Sequence, residues 1–226
     1  KLYYSYLALM TYKGFLFDLN GTMIDDMRYH TQAWHSILNN LGANINYEQV
    51  EREMYGKNEE LLIRIFGENH FTPDQRKEMS LRKEEKYQEE FRQQLKLIDG
   101  LKGFLQKAKE HHVKMAIGTA AIMFNVDFVL DGINIRHYFD ALISADDVSK
   151  SKPNPETYLL CADKLGVNPK SCVVFEDSPK GVEAAQNGGM DAVVILTMHK
   201  KEEFDHLKNI LFFIGDYNDT SLKSLF

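Results

Sequence analysis

Asp18 is the first residue of this chain whose position suggests chemistry. It follows the apolar run Phe15–Phe17 in the stretch FLFDLNGT, and Gly21 ends that stretch as a turn residue. A nearly continuous apolar run of this kind predicts a strand buried on both faces, as in a parallel sheet. A carboxylate at the carboxyl end of such a strand lies in the crevice where open α/β sheets bind ligands. For Asp-x-Asn-Gly alone, the alternative is an Asx turn that leaves the strand.

Three further polar groups follow in the chain. Thr119 ends a second apolar run, Lys152 lies in the loop SKPNPE, and the pair Glu176-Asp177 ends a later apolar run. Each has a simple alternative when taken alone. Thr119 could be a loop hydroxyl, Lys152 a solvated lysine, and the acidic pair a helix cap together with Ser178.

Two blocks of different pattern must position these residues. From Gly100 onward, strand-like apolar runs alternate with helical patterns over short connections, which predicts a parallel sheet layered by helices. Residues 26–96 show helical patterns and no convincing strand. We therefore expect an α/β core of residues 1–25 and 97–226. Residues 26–96 would be inserted after the first strand as a helical domain that caps the carboxyl edge of the sheet.

The helix boundaries carry local signals. Thr72-Pro73-Asp74-Gln75 is a capping box with proline at N1, and it opens a long charged helix that should reach about Lys96. After the first strand, strands are expected at 113–118, 141–144, 172–175, 192–196 and 210–214, and helices at 27–41, 47–55, 58–66, 72–96, 101–110, 121–130, 154–165 and 179–187.

The composition is that of an ordinary globular protein. Of 226 residues, 44% are hydrophobic and 27% charged, and the formal net charge is −6. This charge argues against nucleic acid or an anionic membrane as the main partner, and no apolar run approaches the roughly 18 residues that cross a bilayer. Lys1–Met10 makes a poor signal peptide, and residues 1–9 are interpreted as an extension upstream of a natural start at Met10. We expect a monomer in the cytoplasm.

Two local features have structural interpretations. The charge run Arg82–Glu90 mixes both signs and is typical of a solvated helix face. Cys161 and Cys172 fit neither a disulfide framework nor a metal-binding knuckle, and Cys172 opens an apolar run, so we expect a buried structural thiol there.

The four polar groups, in this order, resemble the motifs of the haloacid dehalogenase superfamily of phosphatases and phosphomutases. The match spans nearly the whole chain, and in that family an inserted helical cap also lies between the first two motifs. The resemblance implies a three-layer, Rossmann-like α/β core whose central strand carries the first motif. The second and fourth motifs would lie on its neighbours, so that all four converge. It further implies a Mg²⁺-dependent enzyme that acts on a small phosphorylated metabolite.

By this resemblance, Asp18 is the nucleophile. A carboxylate can attack phosphorus and form an aspartyl-phosphate, which divides one displacement into two easier steps. Lys152 and Thr119 would hold the phosphoryl oxygens, and Lys152 would also screen Asp18 from its acidic neighbours.

The same resemblance implies a metal site. Mg²⁺ prefers oxygen ligands and is held through one or two carboxylates, which suits Asp18 and Asp177. The backbone carbonyl of Asn20 would complete the protein ligands, and Glu176 would orient a metal-bound water.

Asn20 departs from the family pattern. The family's phosphatases have aspartate here, which protonates the leaving oxygen and then deprotonates water, whereas an amide exchanges no proton near neutral pH. Loss of general acid–base help costs about 10²–10⁴-fold in rate, and acyl phosphates or phosphoanhydrides would suffer least. His30 could supply the proton, or it could merely pack beside Trp34. Alternatively, the protein is a slow or inactive phosphate-ligand binder, or Asn20 is an engineered trap or deamidates to aspartate.

Parts of the helical block point to one branch of the family. The segment YHTQAW, residues 29–34, is similar to the first cap helix of β-phosphoglucomutases. Lys83 resembles a cap lysine that faces the substrate phosphate there, so it is a candidate for substrate binding. Its alternative is one more charge on a solvated helix.

Other parts of that branch are missing. Lys57-Asn58-Glu59 stands where the mutases have a cap arginine, and Ala121-Ile122-Met123 replaces a polar run that binds the second phosphate. A phosphatase acting on a small monophosphate, such as a sugar phosphate, therefore fits better than β-phosphoglucomutase proper. Dehalogenation is disfavoured because Glu176-Asp177 is typical of a metal site that such chemistry does not need. A non-catalytic binder remains the alternative from another class.

Overall fold

The computed structural model describes residues 12–226, so the expectations for Lys1–Met10 lie outside the described residues. Its centre is a six-stranded sheet in which each neighbouring pair is parallel. The strands are β1 (Gly14–Phe17), β2 (Lys114–Gly118), β3 (Ala141–Ile143), β4 (Cys172–Glu176), β5 (Asp191–Ile195) and β6 (Ile210–Ile214). Their order across the sheet is β3-β2-β1-β4-β5-β6, which confirms the predicted α/β class.

Helices cover both faces of this sheet. The α-helices of the described part of the chain are α1 (Met27–Asn40), α2 (Tyr47–Glu53), α3 (Asn58–Phe66), α4 (Pro73–Phe91), α5 (Leu101–Glu110), α6 (Met123–Gly132), α7 (Glu156–Leu165) and α8 (Pro179–Asn187), of which α5, α7 and α8 contact the strands. None of them combines the length and the apolar character that a membrane span requires.

Strand β1 lies in the centre of the sheet, as its continuous apolar run predicts. Phe15 and Phe17 belong to the apolar cluster that includes Phe104 of α5, whereas Leu16 belongs to the cluster on the other face, with Tyr158 of α7. Alternate residues of a strand point to opposite faces, so a strand covered on both sides must be apolar throughout.

The register of the sheet sets the position of the site. Phe17 lies opposite Ile117 of β2 and Phe175 of β4. The carboxyl ends of these three neighbouring strands therefore lie side by side, and the residues that follow them meet at one edge.

Helix α4 begins where local signals predict. The Thr72 hydroxyl accepts from the backbone N–H of Gln75, the Gln75 side chain accepts from the Thr72 N–H, and Pro73 is the first residue of α4. Helix α4 ends at Phe91 and is followed by a short 3₁₀ turn, so the predicted end near Lys96 is too late. Helices α1, α2 and α3 share an apolar cluster of their own, formed by Trp34, Leu38, Val50, Leu61 and Leu62.

The prediction that Arg82–Glu90 is a solvated helix face is wrong for four of its nine residues. Lys83, Glu84, Tyr87 and Gln88 are buried, whereas the residues between them are exposed or partly exposed. The buried residues recur at helical spacing and face the rest of the protein. The sequence did not predict their burial, because charged residues are usually exposed. Buried ions are tolerated when they are paired.

The two cysteines behave as expected. Cys161 and Cys172 are free thiols, and both are buried. Burial raises the pKa of the Cys172 thiol to about 11, so it stays protonated near neutral pH.

Candidate active site

Three carboxylates meet at the carboxyl edge of the sheet. Asp18 follows β1, Glu176 ends β4, and Asp177 follows it. All three are buried, and one oxygen of each lies within 4.8 Å of the others. The expected closeness of Asp18 and Asp177 is therefore confirmed. Buried carboxylates crowded in this way disfavour one another's charge, and a divalent cation would relieve that repulsion.

Lys152 is the cation that contacts two of them. Its ammonium group lies 2.7 Å from Asp18 Oδ1 and 2.7 Å from Glu176 Oε1, and 2.8 Å from the hydroxyl of Tyr158. Burial opposes the charge on Lys152, but the two carboxylates outweigh it and raise its pKa, so this lysine stays charged. The alternative of a solvated lysine is excluded by these contacts.

The three carboxylates differ in how they are stabilised. Burial raises the pKa of Asp18 to about 7, with a further contribution from Glu176, against the opposing effect of Lys152. Burial also raises the pKa of Asp177 well above its usual range, and the neighbouring carboxylates add to this effect. Burial would raise the pKa of Glu176 as well, but Lys152 and several hydrogen-bond donors stabilise its charge and lower its pKa.

Glu176 is saturated by protein donors. Its Oε1 accepts from Lys152 and the Tyr158 hydroxyl, and its Oε2 accepts from the backbone N–H groups of Asp177 and Ser178 and from the Ser178 hydroxyl. A carboxylate offers about four acceptor positions, so direct bonding of Glu176 to a metal would displace one of these donors. Asp18 and Asp177 have fewer protein donors, which suits them better to hold a cation.

Gly181 in α8 provides a test of this arrangement. A methyl group at this position would overlap the Glu176 carboxylate, so we expect Gly181→Ala to displace that side chain and its contacts with Lys152. The variant should be destabilised by about 1–3 kcal/mol and should lose at least about tenfold in activity. Gly103→Ala is the matched control, because it also replaces a helical glycine but meets open space. Thermal unfolding and activity assays would contradict the interpretation if both variants behaved alike.

Thr119 lies beside Asp18 at the end of β2. It is buried, and its hydroxyl oxygen accepts from the backbone N–H of Ala121 at 3.1 Å. That bond leaves the hydroxyl proton available to a ligand in the cavity, which Thr119 lines.

Asn20 lies in a polar network that the sequence did not reveal. Its Nδ2 is 2.6 Å from Asp26 Oδ2 and 3.0 Å from His30 Nε2. Asp26 also accepts from the hydroxyl of Tyr87 at 2.6 Å and from the backbone N–H of Gly21 at 3.1 Å. Asp26 is fully buried, yet these donors and His30 outweigh burial and lower its pKa. It is therefore a carboxylate in direct contact with the Asn20 amide.

Asp26 escaped sequence analysis because it occupies a helix-capping position. It is the residue before α1, where aspartate usually accepts from the backbone of the helix. Its side chain makes no such capping bond and points to Asn20 instead. The one signal in the sequence is that an acidic residue precedes the helix, and that signal favours a cap.

His30 connects this network to Lys83. Its Nδ1 is 2.6 Å from the Lys83 ammonium group, its Nε2 is 3.2 Å from Asp26 Oδ2, and its ring stacks on Tyr87 at 3.8 Å. An ammonium can only donate, so Nδ1 accepts and the ring proton lies on Nε2, where Asp26 Oδ2 is its acceptor. His30 is therefore part of a polar chain, and packing alone does not describe it.

The alternative of a solvated Lys83 is wrong. Its side chain is buried and its ammonium lies 3.0 Å from each oxygen of Glu84. Glu84 in turn accepts from Asn58 and Asn125. The Lys83 ammonium is therefore already paired within the protein, and binding a phosphate would compete with these contacts.

A cavity of about 540 Å³ joins these groups. It is lined by residues from the sheet edge and from the helices between β1 and β2. The residues singled out from the sequence all line it: Asp18, Asn20, His30, Lys83, Thr119, Lys152, Glu176 and Asp177. It is large enough for a small phosphorylated molecule.

Comparisons with known proteins agree with this arrangement. Residues 15–195 match the family described as haloacid dehalogenase-like hydrolases. A fructose-1-phosphate phosphatase from Escherichia coli is 32% identical over 185 residues, covering 80% of this chain and 95% of that protein. A β-phosphoglucomutase from Bacillus subtilis is 31% identical over 187 residues, covering 80% and 82%. The structure of an HAD hydrolase of family IA, variant 3, from Entamoeba histolytica superposes with a TM-score of 0.84 at 25% identity, covering 94% and 97%.

Proposed function

This chain belongs to the family of haloacid dehalogenase-like hydrolases, and on that premise we propose that it hydrolyses a small sugar or polyol phosphate in the presence of Mg²⁺. The observation that carries the proposal is the contact of Asp18 with Lys152 beside Asp177, in a cavity of about 540 Å³. The named activities of the relatives, a fructose-1-phosphate phosphatase and a β-phosphoglucomutase, support phosphoryl transfer on sugars.

In the proposed reaction, an Asp18 oxygen attacks the phosphorus of the ester and the bond to the sugar oxygen breaks. The sugar oxygen leaves with a proton, and Asp18 carries the phosphoryl group. A water molecule then attacks the same phosphorus, which releases phosphate and restores the Asp18 carboxylate. Lys152 holds a phosphoryl oxygen by charge, and Thr119 holds another through its hydroxyl proton.

Asp18, Asp177 and the backbone carbonyl of Asn20 would hold Mg²⁺. The fit rests on two buried carboxylates with raised pKa values beside a third, which is a donor set of the type this hard ion prefers. When bound, the ion would neutralise charge on the phosphoryl oxygens.

The leaving oxygen needs a proton that Asn20 cannot donate. Of the two exchangeable groups that contact the Asn20 amide, Asp26 is fully buried and held as a carboxylate, whereas His30 lines the cavity. We propose that His30 delivers its Nε2 proton to the leaving oxygen while its Nδ1 takes a proton from the Lys83 ammonium, so that the ring stays neutral, and that Asp26 positions the ring.

We further propose that residues 26–96 form a cap domain that closes over the substrate. Several hydrogen bonds join the two parts near the cavity, among them three between distant side chains and loops. Lys57 Nζ donates to the Val148 carbonyl at 2.6 Å, the Ser151 hydroxyl donates to Glu60 at 2.9 Å, and Asn125 donates to Glu84 at 2.5 Å. Such closure excludes water and selects the substrate. A monomeric state and a cytoplasmic location stay predictions.

The proposal is tested by a screen for phosphate release from sugar and polyol phosphates, acetyl phosphate included, with and without Mg²⁺. We expect turnover that depends on both Mg²⁺ and Asp18. A screen without Mg²⁺-dependent release would contradict the proposal. Capture of phosphate on Asp18 without turnover would favour a non-catalytic binder.

A mutase is the second candidate, because the Bacillus subtilis relative is a β-phosphoglucomutase. Formation of glucose 6-phosphate from β-glucose 1-phosphate in the presence of the 1,6-bisphosphate would identify it. The apolar residues Ala121 to Met123, which follow the carboxyl end of β2, argue against a mutase, because a second phosphate needs hydrogen-bond donors or positive charge.

The affinity for Mg²⁺ should depend on pH. The pKa of Asp18 is raised to about 7, so at pH 6 this carboxyl group carries a proton that Mg²⁺ must displace, and at pH 8 it does not. We expect affinity to fall by about tenfold or more from pH 8 to pH 6. The raised pKa of Asp177 acts in the same direction. Calorimetry in buffers of different ionisation enthalpy should show proton release at pH 6, and a pH-independent affinity would contradict the prediction.

A further inference from the structure

Glu84 is the centre of a buried polar wall at the cavity. Asn58, the first residue of α3, donates to Glu84 Oε1 at 2.5 Å, and Asn125 of α6 donates to Oε2 at 2.5 Å. Lys83 lies 3.0 Å from both oxygens. These residues all line the cavity, and Lys83, Glu84 and Asn125 are at most 3% exposed. We call this set, Asn58, Lys83, Glu84 and Asn125, the amide wall.

The amide wall contains no uncompensated charge. An ammonium has three protons, and those of Lys83 are directed to His30 Nδ1 at 2.6 Å and to the two Glu84 oxygens. Lys83 and Glu84 therefore neutralise each other. A phosphate bound to Lys83 would have to separate a buried ion pair and would meet the Glu84 carboxylate.

Other cations at the cavity are engaged or solvated. Lys57 donates to the Val148 carbonyl, and Lys180 lies over the Tyr55 ring at 3.9 Å. Arg52 has a largely exposed side chain. At the reaction centre, Lys152 is committed to Asp18 and Glu176. A second phosphate would need a buried positive charge that is not already paired. None of these cations supplies it.

We infer that the amide wall recognises hydroxyl groups and selects against a second phosphate, so that the substrate is a singly phosphorylated sugar or polyol. This inference rests on the proposed function and names its substrate class. A carboxamide has two N–H protons and one oxygen, and Asn58 and Asn125 each direct one proton to Glu84, while the Asn125 oxygen accepts from Gln88. The remaining protons and the Asn58 oxygen suit a hydroxyl group, which both donates and accepts, better than a phosphate dianion. Such a wall discriminates more strongly than an apolar pocket of the same size.

The test is the ratio of kcat/KM for fructose 1-phosphate to that for fructose 1,6-bisphosphate, and likewise for glucose 1-phosphate and its 1,6-bisphosphate. In both pairs, the wild-type protein should favour the monophosphate at least tenfold. Glu84→Gln frees the Lys83 charge and should lower that ratio at least tenfold. Glu85→Gln is the matched control, since it neutralises the exposed neighbouring residue, and it should leave the ratio unchanged.

A second variant covers the case in which Glu84→Gln does not fold. Asn58→Ala alters a partly exposed position and should lower kcat/KM for fructose 1-phosphate at least fivefold more than for acetyl phosphate, which has no hydroxyl group. Equal wild-type rates on mono- and bisphosphates, or a ratio unchanged by a folded Glu84→Gln protein, would overturn the inference. If acetyl phosphate is still hydrolysed with Mg²⁺ and Asp18, the proposed function survives that outcome. If no substrate is hydrolysed, the proposed function itself fails.

Discussion

Asp18→Asn is expected to lower Mg²⁺-dependent phosphate release by about 10⁴-fold or more. An amide cannot form the aspartyl-phosphate, and it removes one of the two carboxylates available to the metal ion. Asp18 also forms the 2.7 Å contact with Lys152, so the charge pattern of the centre changes as well. The measurement is steady-state phosphate release on the best substrate of the screen.

The loss should not result from unfolding. The pKa of Asp18 is raised to about 7 in the folded protein, so above that pH the buried carboxylate is less stable there than in the unfolded chain. Replacing it with a neutral amide should leave thermal stability at pH 8 without Mg²⁺ equal or higher. Asp25→Asn, at an exposed position near the start of α1, is the control for loss of one acidic charge. Residual activity within tenfold of wild type in Asp18→Asn would disprove the nucleophilic role.

Asn20→Asp is expected to raise turnover of unactivated esters by about 10²–10⁴-fold, because it restores a group that can donate and accept a proton. Acetyl phosphate should gain least, since its leaving group needs little protonation. The measurement is kcat on fructose 1-phosphate and on acetyl phosphate for both proteins. Equal gains on the two substrates would argue against a role in leaving-group protonation.

The gain in turnover should depend on pH, because Asp26 contacts residue 20. The new carboxyl group would stand where the Asn20 amide now lies 2.6 Å from Asp26 Oδ2. Two carboxylates in contact cannot both ionise easily, so the pair should share a proton near neutral pH. The gain should therefore decline at alkaline pH as the shared proton is lost. Combining Asn20→Asp with Asp26→Asn removes this coupling and should shift the decline.

Substitution of His30 tests whether this residue supplies the proton when residue 20 is asparagine. If His30 supplies the proton in the present protein, His30→Gln should cost at least about tenfold in kcat. The same substitution should cost less when combined with Asn20→Asp, because the proton then has another source. Equal costs in both backgrounds would assign His30 a structural role only.

Much of the fold was predictable because its signals are local. The helices Asn58–Phe66, Leu101–Glu110 and Pro179–Asn187 have the predicted bounds, since apolar periodicity, capping residues and glycines mark helix ends within a few residues of chain. The end of α4 was misjudged because charged residues continue past Phe91 without a stop signal.

The sequence by itself determined the central strand, Asp18 at its end, and the other polar groups that meet there, because a parallel sheet brings the ends of its strands to one edge. Only the tertiary structure decided what contacts Asn20 and how the far side of the cavity is charged. Asp26 and Tyr87 are 61 residues apart, and Lys83 and His30 are 53 apart. Their contacts depend on how α1 packs against α4, and no local pattern encodes that packing. The same packing buries Lys83 and Glu84 of the run of mixed charges, and the two neutralise each other in the amide wall. A buried charge is tolerated only when it is paired.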